Sequence, residues 1–388
     1  MKLNSVSLPN IFDRFFDSEK SSGIALIFCT LFAVLVTNSA LGETYLSLWH
    51  FKLWNLDLEH WINDGLMAVF FLLIGLELER ELYVGELSNF RTALLPIVAA
   101  IGGMITPALI YFLLNHGTPT QDGIGIPMAT DIAFALGAIA ILGTRVPASL
   151  KIFVVAFAII DDLGAIVVIA AFYTAKLSLS YLAGAMAVWL LLIMLNKFFK
   201  VMSLIPYVIG GMLMWYLMLQ SGIHATIAGV MLAFAIPFSS VDNDHQSPSY
   251  RLEHVLHKPV AFIILPIFAL ANTGIIFDSN FIDTLTSSNG LGIAAGLIIG
   301  KPIGILLMSF FAVLIGICRL PDDLRWAHII GAGILGGIGF TMSIFITNLA
   351  FSGNPEVINT SKLVILITSL AAGILGFLWL RVFGKANK

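Results

Sequence analysis

Residues 150–175 read LKIFVVAFAIIDDLGAIVVIAAFYTA and carry two adjacent aspartates, Asp161 and Asp162, at the centre of an apolar run. As a helix rising about 1.5 Å per residue, this stretch is long enough to cross a hydrocarbon layer of about 30 Å. One charged side chain at that depth costs at least about 2.5 kcal/mol. Two of them side by side predict a site that handles a cation, a proton or both.

The whole chain has the composition of a membrane protein. Of its 388 residues 59% are hydrophobic and 11% are charged, whereas a soluble domain is about 25% charged. The apolar runs are long and continuous, unlike the alternating segments of about ten residues that form a transmembrane β-barrel. The sequence therefore predicts an all-α polytopic membrane protein. A net charge of −3 gives no indication of a nucleic-acid partner, and no motif indicates a cofactor, a metal centre or a soluble domain.

Hydropathy predicts about twelve spans in one membrane domain covering residues 1–388. The predicted spans are 22–41, 60–83, 93–115, 124–143, 150–175, 180–198, 203–219, 222–238, 251–274, 290–317, 327–350 and 360–383. With the N-terminus inside, sixteen basic residues fall on the cytoplasmic side and three, Lys52, Lys176 and Lys362, fall on the other. This bias supports the count and predicts that both termini are cytoplasmic.

The first external loop, residues 42–59, differs from the others. Residues 51–59 partly alternate apolar with polar side chains, as a short strand or hairpin does. The alternative is an interfacial segment anchored by Trp49 and Trp54. A hairpin with an open edge is able to pair with a second copy, which predicts a homodimer.

Two spans contain helix-breaking sequence. In span 124–143, Gly125 and Pro127 precede Asp131, and span 327–350 has five glycines between Gly331 and Gly339. Broken backbone at membrane depth is tolerated only where protein buries it or where it lines a wet cavity. A long uninterrupted span follows each broken one. This order predicts two related halves, roughly 93–175 and 290–383, inserted with opposite orientation.

The ionisable side chains predicted near the midplane are Asp131, Asp161, Asp162 and Lys301. Adjacent helical residues point about 100° apart, so one arrangement gives Asp162 an open cavity and pairs Asp161 with Lys301. Broken helices present partial charges at their new ends. Asp131 would balance facing N-termini and Lys301 facing C-termini, and Thr130 adds a hydroxyl and a carbonyl beside Asp131.

These carboxylates suit competition between protons and an alkali cation. Carboxyl groups buried together are able to keep protons near neutral pH, and a hard cation such as Na⁺ or Li⁺ prefers oxygen ligands. Asp162 and Asp161 would then hold the transported cation transiently in their deprotonated form. Such competition couples the two ions as an antiporter does, and no enzyme chemistry is needed.

Other interpretations remain open from the residues alone. An aspartate and Lys301 could form a purely structural ion pair. A cation channel would need a ring of acids or carbonyls from several subunits, and a sodium-coupled solute transporter would need more hydrogen-bonding side chains than these spans carry. An intramembrane aspartyl protease using Asp131 and Asp162 would need GxGD and Tyr-Asp sequences, which the chain lacks.

The chain resembles the NhaA family of bacterial sodium/proton antiporters from about residue 20 to residue 383. The resemblance rests on the stretches WINDGLMAVFFLLIGLELEREL, IPMATDIAFALG, LKIFVVAFAIIDDLGAI, SGIHATIAG, RLEHVLHKPVAF, GLIIGKPIGI and GGIGFTMSIF. It implies twelve spans, an inverted repeat with two crossing interrupted helices, and electrogenic export of Na⁺ or Li⁺ in exchange for protons. The rule that paired interrupted spans mark a transporter site rests partly on this family, so it gives no independent support.

The resemblance also assigns roles to residues. It implies that Asp162 and Asp161 carry the cation and the protons, that Thr130 and Asp131 form the interruption of the fourth span, and that Lys301 compensates charge or carries a proton. It further implies location in the bacterial inner membrane, regulation of intracellular pH and sodium, salt tolerance, and dimerisation through the external hairpin.

Activation at alkaline pH through a cytoplasmic cluster is a further implication of the resemblance. The cluster positions match Glu77, Arg80, Glu81, Glu253, His254 and His257. Within each helix two members are four residues apart and share a face, and histidine titrates in the physiological range. The alternative is an ordinary polar helix end. Glu79 departs from the family pattern, which has a basic residue there, and this acid would move the pH of activation.

Overall fold

The computed structural model describes residues 8–54, 56–173, 177–239, 247–277 and 281–385. Most of the described chain is helical, so the prediction of an all-α polytopic membrane protein is confirmed. Several positions used in the charge comparison, such as Lys2, Lys176 and Lys388, lie outside the described residues.

The first part of the chain contains a short hairpin between long helices. Its elements are α1 (Leu8–Thr37), α2 (Gly42–Trp49), β1 (Lys52–Leu53), β2 (Leu56–Asp57), α3 (Leu58–Tyr83) and α4 (Phe90–Asn115). A 3₁₀ segment (Gln121–Met128) then leads into α5 (Ile132–Leu142), and α6 (Ala148–Phe172) carries the two adjacent aspartates.

In the second part of the described chain, the regular elements are all helices. Its elements are α7 (Leu179–Lys197), α8 (Ile205–Ser221), α9 (Ile227–Ala233), α10 (Pro248–Asn272), α11 (Phe281–Thr286), α12 (Ser288–Leu314), α13 (Trp326–Gly336), α14 (Phe340–Ala350) and α15 (Pro355–Phe383). Side chains define several of these starts: Ser287 and Asn354 accept backbone N–H groups of the first turns of α12 and α15, which stabilises helix N-termini.

The described residues contain fewer membrane-length helices than the twelve spans that the sequence predicts. Among the described residues, eight helices are long and apolar enough to cross, or up to ten if each of two bent pairs forms one span. The predicted spans 203–219 and 222–238 correspond to α8 with 17 residues and α9 with only 7. The count of twelve therefore stays a prediction.

Both predicted interruptions are breaks in the backbone. Residues 129–131 are extended between the 3₁₀ segment and α5, with Asp131 as the N-cap of α5. Between α13 and α14 the chain leaves helical geometry at residues 337–339 and bends by 45°. Along the chain, each broken pair lies between two long helices, α4 and α6 in one predicted half and α12 and α15 in the other. Their inverted relationship stays a prediction.

The long first helices of the two halves, α4 and α12, pack closely because glycine faces glycine. A Cβ added to Gly102 would lie 2.2 Å from the carbonyl oxygen of Gly304, and one added to Gly304 would lie 2.1 Å from that of Gly102. Only glycine allows backbones to approach so closely. This contact brings Lys301 on α12 toward the broken helices.

The external loop forms a two-stranded antiparallel hairpin. Lys52 pairs with Asp57 and Leu53 pairs with Leu56. Trp54 in the turn has a positive φ of 61° and is 87% exposed. Burial alone would raise the pKa of Asp57, but hydrogen bonds from the backbone and ring of the following His60 hold it below its usual value. The side chain of Asp57, the last residue of the hairpin, thus caps the N-terminus of α3.

Candidate functional site

Asp131 lies between the N-termini of two half-helices. Its Oδ1 accepts the backbone N–H of Phe134 at 3.3 Å in the first turn of α5. Its Oδ2 accepts the backbone N–H of Thr341 at 3.2 Å and the Thr341 hydroxyl at 2.5 Å, in the first turn of α14. Each N-terminus carries roughly half a positive unit of charge, so one carboxylate balances the two.

The two breaks also bond directly to each other. The N–H of Asp131 donates to the carbonyl of Ile338 at 2.6 Å, and the hydroxyl of Thr130 donates to the carbonyl of Gly336 at 2.9 Å. On the other side of the contact, the Ser343 hydroxyl donates to the carbonyl of Ile126 at 2.7 Å. These bonds satisfy backbone groups that the broken helices leave free, which is required at membrane depth. The Thr130 hydroxyl therefore satisfies a carbonyl at the C-terminus of the half-helix α13.

Lys301 and Asp161 form a fully buried ion pair. The ammonium nitrogen lies 2.7 Å from Oδ2 of Asp161, and neither side chain is exposed. Lys301 also donates to the backbone carbonyl of Met128, the last residue of the 3₁₀ segment. The same cation therefore compensates a carboxylate and a half-helix C-terminus. A π-helical turn, Gly296–Gly300, immediately precedes Lys301, and such turns are frequent at functional sites.

Asp162 is buried as well, with 2% of its surface exposed. Its Oδ1 and Oδ1 of Asp161 are buried and accept no hydrogen bond from any described group. Buried carboxylate oxygens normally have partners. No group of three or more His, Cys, Asp or Glu in the described chain is arranged to hold a metal ion. The two aspartates therefore offer buried oxygen atoms whose hydrogen-bonding capacity no described group uses.

The residues predicted to sense pH lie around the ends of α3 and α10. Nη1 of Arg80 lies 2.7 Å from Oε1 of Glu253, and Nη2 of Arg80 lies 3.5 Å from Oε1 of Glu81. Glu253 is 7% exposed, whereas the Arg80 side chain is 39% exposed. The ring of His254 stacks on Tyr250 one helical turn earlier, at 6.3 Å. Arg80 therefore contacts both Glu253 and Glu81.

Glu77 connects this region with the midplane. It shares the helix face of Glu81 on α3 and interacts electrostatically with both Arg80 and Asp162. His257 lies on the α10 face of Glu253 and interacts electrostatically with Arg80. The two acids of α3 and the three α10 members of the predicted cluster therefore interact with the Arg80 guanidinium or with its partner Glu253.

Glu79, the departure from the family pattern, is separate from that group. Its side chain is 5% exposed, and its Oε2 accepts the hydroxyl of Ser249 at 3.2 Å. Ser249 belongs to the first turn of α10. A buried acid therefore joins the end of α3 to the start of α10, beside the Arg80–Glu253 pair.

Sequence reasoning missed two sets of polar residues. Thr341 contributes two of the hydrogen bonds to Asp131, and its position directly after the glycine-rich break was the available signal. The other set is an amide network in which Asn63 and Asn272 pair at 2.8 Å and Asn348 donates to Asn272 at 2.5 Å. These asparagines come from α3, α10 and α14, and nothing in their spacing indicated contact.

Comparison with known proteins agrees with this arrangement. The sequence profile of the family described as Na⁺/H⁺ antiporter 1 matches residues 13–380. The chain is 66% identical over 376 residues to the Na⁺/H⁺ antiporter NhaA of Dechloromonas aromatica (strain RCB), covering 97% of each chain. It is 58% identical to that of Flavobacterium psychrophilum over 97% of each chain. It is also 48% identical to Na⁺/H⁺ antiporter NhaA 2 of Pseudomonas syringae pv. syringae, over 96% of this chain and 95% of the relative. The chain therefore belongs to the NhaA family of Na⁺/H⁺ antiporters, which are transporters and not enzymes.

Proposed function

We propose that this protein exports Na⁺ or Li⁺ in electrogenic exchange for protons, two for each cation, by competition at Asp162 and Asp161. The observation that carries the proposal is the pair of buried Oδ1 atoms without a hydrogen-bond partner in the described chain. Such oxygens need a proton or a cation. Na⁺ and Li⁺ are hard cations that prefer oxygen ligands, so either species satisfies the same atoms and excludes the other.

The distribution of charge favours Asp162 as the primary exchange group. Asp131 is held by the N-termini of α5 and α14, and Asp161 is paired with Lys301. Asp162 has no comparable cationic contact in the described part of the chain, although it interacts electrostatically with Lys301. An uncompensated charge on Asp162 therefore costs more free energy in the membrane than a charge on Asp131 or Asp161. Binding of a cation is for that reason most favourable at Asp162.

A second proton would come from the Asp161–Lys301 pair. Cation binding that recruits an oxygen of Asp161 would weaken its bond to Lys301, and the lysine could then release a proton. Protonation of Asp161 itself gives the same stoichiometry. In both cases two protons enter for each cation that leaves, so one net positive charge moves inward per cycle. The membrane potential therefore drives the exchange. No cofactor takes part.

Activation at alkaline pH would begin at the group around Arg80. Deprotonation of Glu253 or His257 changes the charge that faces Arg80. Arg80 and Asp162 both interact with Glu77, so a change at the group alters the potential at the midplane carboxylate. The protein would thereby regulate intracellular pH and sodium and confer salt tolerance.

The cellular setting follows from family and charge bias. We place the protein in the bacterial inner membrane with both termini cytoplasmic, because basic residues concentrate on that side of the predicted spans. The open edges of the hairpin at Lys52–Leu53 and Leu56–Asp57 are suited to pairing with a second copy. We therefore propose a homodimer in the bilayer.

The decisive experiment measures exchange in everted vesicles. Respiration acidifies the vesicle interior, and a fluorescent amine reports the pH gradient while NaCl, LiCl or KCl is added. Sodium and lithium should dissipate the gradient, more strongly above neutral pH, and potassium should not. Asp162→Asn should abolish the response with the protein still present in the membrane, and Asp161→Asn should impair it.

Asp122→Asn is the matched control, because Asp122 lies at the exposed end of the same broken segment as Asp131. It should exchange ions as the unmodified protein does. Normal exchange by Asp162→Asn would overturn the mechanism. A salt-dependent current without proton movement would instead indicate a cation channel.

A further inference from the structure

An apolar slot opens between α1, α5 and α15. It has a volume of about 590 Å³. Its walls are formed by side chains such as Ile24 and Leu31 of α1, Ile141 of α5 and Leu370 of α15. The mouth of the slot is on the outer surface of the helices, because these wall residues are 57–65% exposed. Since α15 is a membrane-span candidate, the slot opens toward the bilayer.

The floor of the slot is the crossing of the two broken helices. Phe134, Ile338 and Phe340 line it, and the rings of Phe134 and Phe340 meet edge to face at 5.0 Å. The carbonyl of Ile338 accepts the N–H of Asp131. Whatever fills the slot therefore packs directly on residues that hold the half-helices together.

The few polar side chains in the slot have their hydrogen bonds satisfied inside the protein. The Thr30 hydroxyl donates to the carbonyl of Leu26 at 2.8 Å, and Oγ of Ser369 accepts the N–H of Phe340 at 3.1 Å. Ordered water needs two to four polar partners, and apolar cavities stay dry. The occupant that suits this slot is therefore a hydrocarbon.

Three glycines keep the slot wide. A Cβ added to Gly137 would meet no heavy atom within 4 Å, and the nearest atoms to one added at Gly23 or Gly373 would be 3.7 Å and 3.6 Å away. Glycine inside a helix usually allows close packing and otherwise costs about 1 kcal/mol relative to alanine. Here no neighbour approaches, so the effect of these glycines is to leave room for something else.

We propose that this slot binds one acyl chain of a membrane lipid, which packs against the crossing of the broken helices. The slot runs along α1 from Gly23 to Val34, or roughly 16 Å at about 1.5 Å per residue. That length is about half of a hydrocarbon layer of about 30 Å, the depth that one leaflet supplies. The volume is also within the range of about 300–1,000 Å³ that is usual for ligand sites.

Photolabelling of the whole protein in liposomes tests the proposal. The probe is a phosphatidylethanolamine with a diazirine in the middle of one acyl chain, and labelled residues are mapped by mass spectrometry. Floor residues Phe134, Ile338 and Phe340 should be labelled. Gly137→Leu and Gly373→Leu should each lose that labelling because their side chains occupy the slot. Labelling of the exposed face of α7, at Leu190 and Leu191, should not change.

Gly184→Leu on α7 is the matched control, since an added Cβ there is in ordinary contact at 3.5 Å from Leu217, away from the slot. It should retain labelling of the floor. The proposal fails if the unmodified protein shows no floor labelling, or if both slot-filling variants keep it. Because labelling is measured without ion gradients, failure of the exchange mechanism would leave this result unaffected.

Discussion

The ammonium nitrogen of Lys301 and Oδ2 of Asp161 are 2.7 Å apart, and neither side chain is exposed. Removing one member of a buried pair leaves an uncompensated charge, which costs about 3–5 kcal/mol. Lys301→Met should therefore lower the midpoint of thermal unfolding in detergent. The decrease should be larger at pH 8.5 than at pH 6, because Asp161 left alone is able to take up a proton at the lower pH.

The double variant Asp161→Asn/Lys301→Met tests whether the charge is the cause. It contains no uncompensated ion, so its unfolding midpoint should lie closer to that of the unmodified protein than the midpoint of Lys301→Met does. Equal midpoints for the single and double variants would show that Lys301 stabilises the fold through other contacts, for example its hydrogen bond to the carbonyl of Met128.

Thr341→Val should destabilise the crossing of the broken helices. The valine keeps the shape of the side chain but removes the hydroxyl that Oδ2 of Asp131 accepts at 2.5 Å. A hydrogen bond to a charged group contributes about 1.5–3 kcal/mol, and the two backbone N–H donors remain. The measurement is the midpoint of thermal unfolding, with Thr341→Ser as the control that retains the hydroxyl. Identical midpoints for the two variants would contradict the assignment.

Contacts of the buried ionisable groups could be predicted from the sequence, because a charged side chain needs a partner at membrane depth. Charged groups such as Asp131, Asp161 and Lys301 must find partners in the membrane, so their convergence could be inferred from the spans alone. The paired glycine-rich interruptions predicted where backbone polar groups would meet. The predicted division that pairs Asp161 with Lys301 matches the contact that the structure places between them.

What could not be predicted depends on rotation and register between helices. Thr341 and Asn348 lie on α14, and hydropathy gives no information on which neighbour their side chains face. Glu79 is buried against Ser249 although it lies in a charged stretch with Glu77, Arg80 and Glu81. The predicted span 222–238 is longer than α9, because an apolar run does not distinguish a membrane-length helix from a short helix flanked by apolar turns.

Arg80→Gln should shift activation of exchange toward alkaline pH. Arg80 lies 2.7 Å from Glu253, and a cation beside a buried carboxylate favours its deprotonated form, so its loss lets Glu253 keep a proton to higher pH. If activation requires that proton to leave, the pH profile of sodium-dependent exchange moves in the same direction. The measurement is the vesicle assay repeated between pH 6.5 and pH 9.

Arg145→Gln is the control for a general effect of surface charge, because Arg145 is exposed on the same predicted side of the membrane. Its pH profile should match that of the unmodified protein. An unchanged profile for Arg80→Gln would mean that the Arg80–Glu253 pair is structural only and that pH is sensed elsewhere.

Lys52→Pro should separate a dimer into monomers without disrupting the hairpin. The N–H of Leu58 donates to the carbonyl of Phe51 across the hairpin. Bonded and non-bonded pairs alternate in antiparallel strands. The next pair, Lys52 and Asp57, therefore directs its backbone groups outward. Proline at position 52 removes an outward N–H and leaves the internal bonds in place. Light scattering after size-exclusion chromatography in mild detergent should show a smaller mass.

Leu53→Pro distinguishes pairing between copies from integrity of the hairpin. Leu53 belongs to the inward pair with Leu56, so proline there removes a bond within the hairpin and should also disturb the start of α3. Lys52→Pro should retain the unfolding midpoint and ion exchange of the unmodified protein, whereas Leu53→Pro should lower the midpoint. If Lys52→Pro remains the size of the unmodified protein, a dimer does not form through this edge, because an added strand would need the N–H that proline lacks.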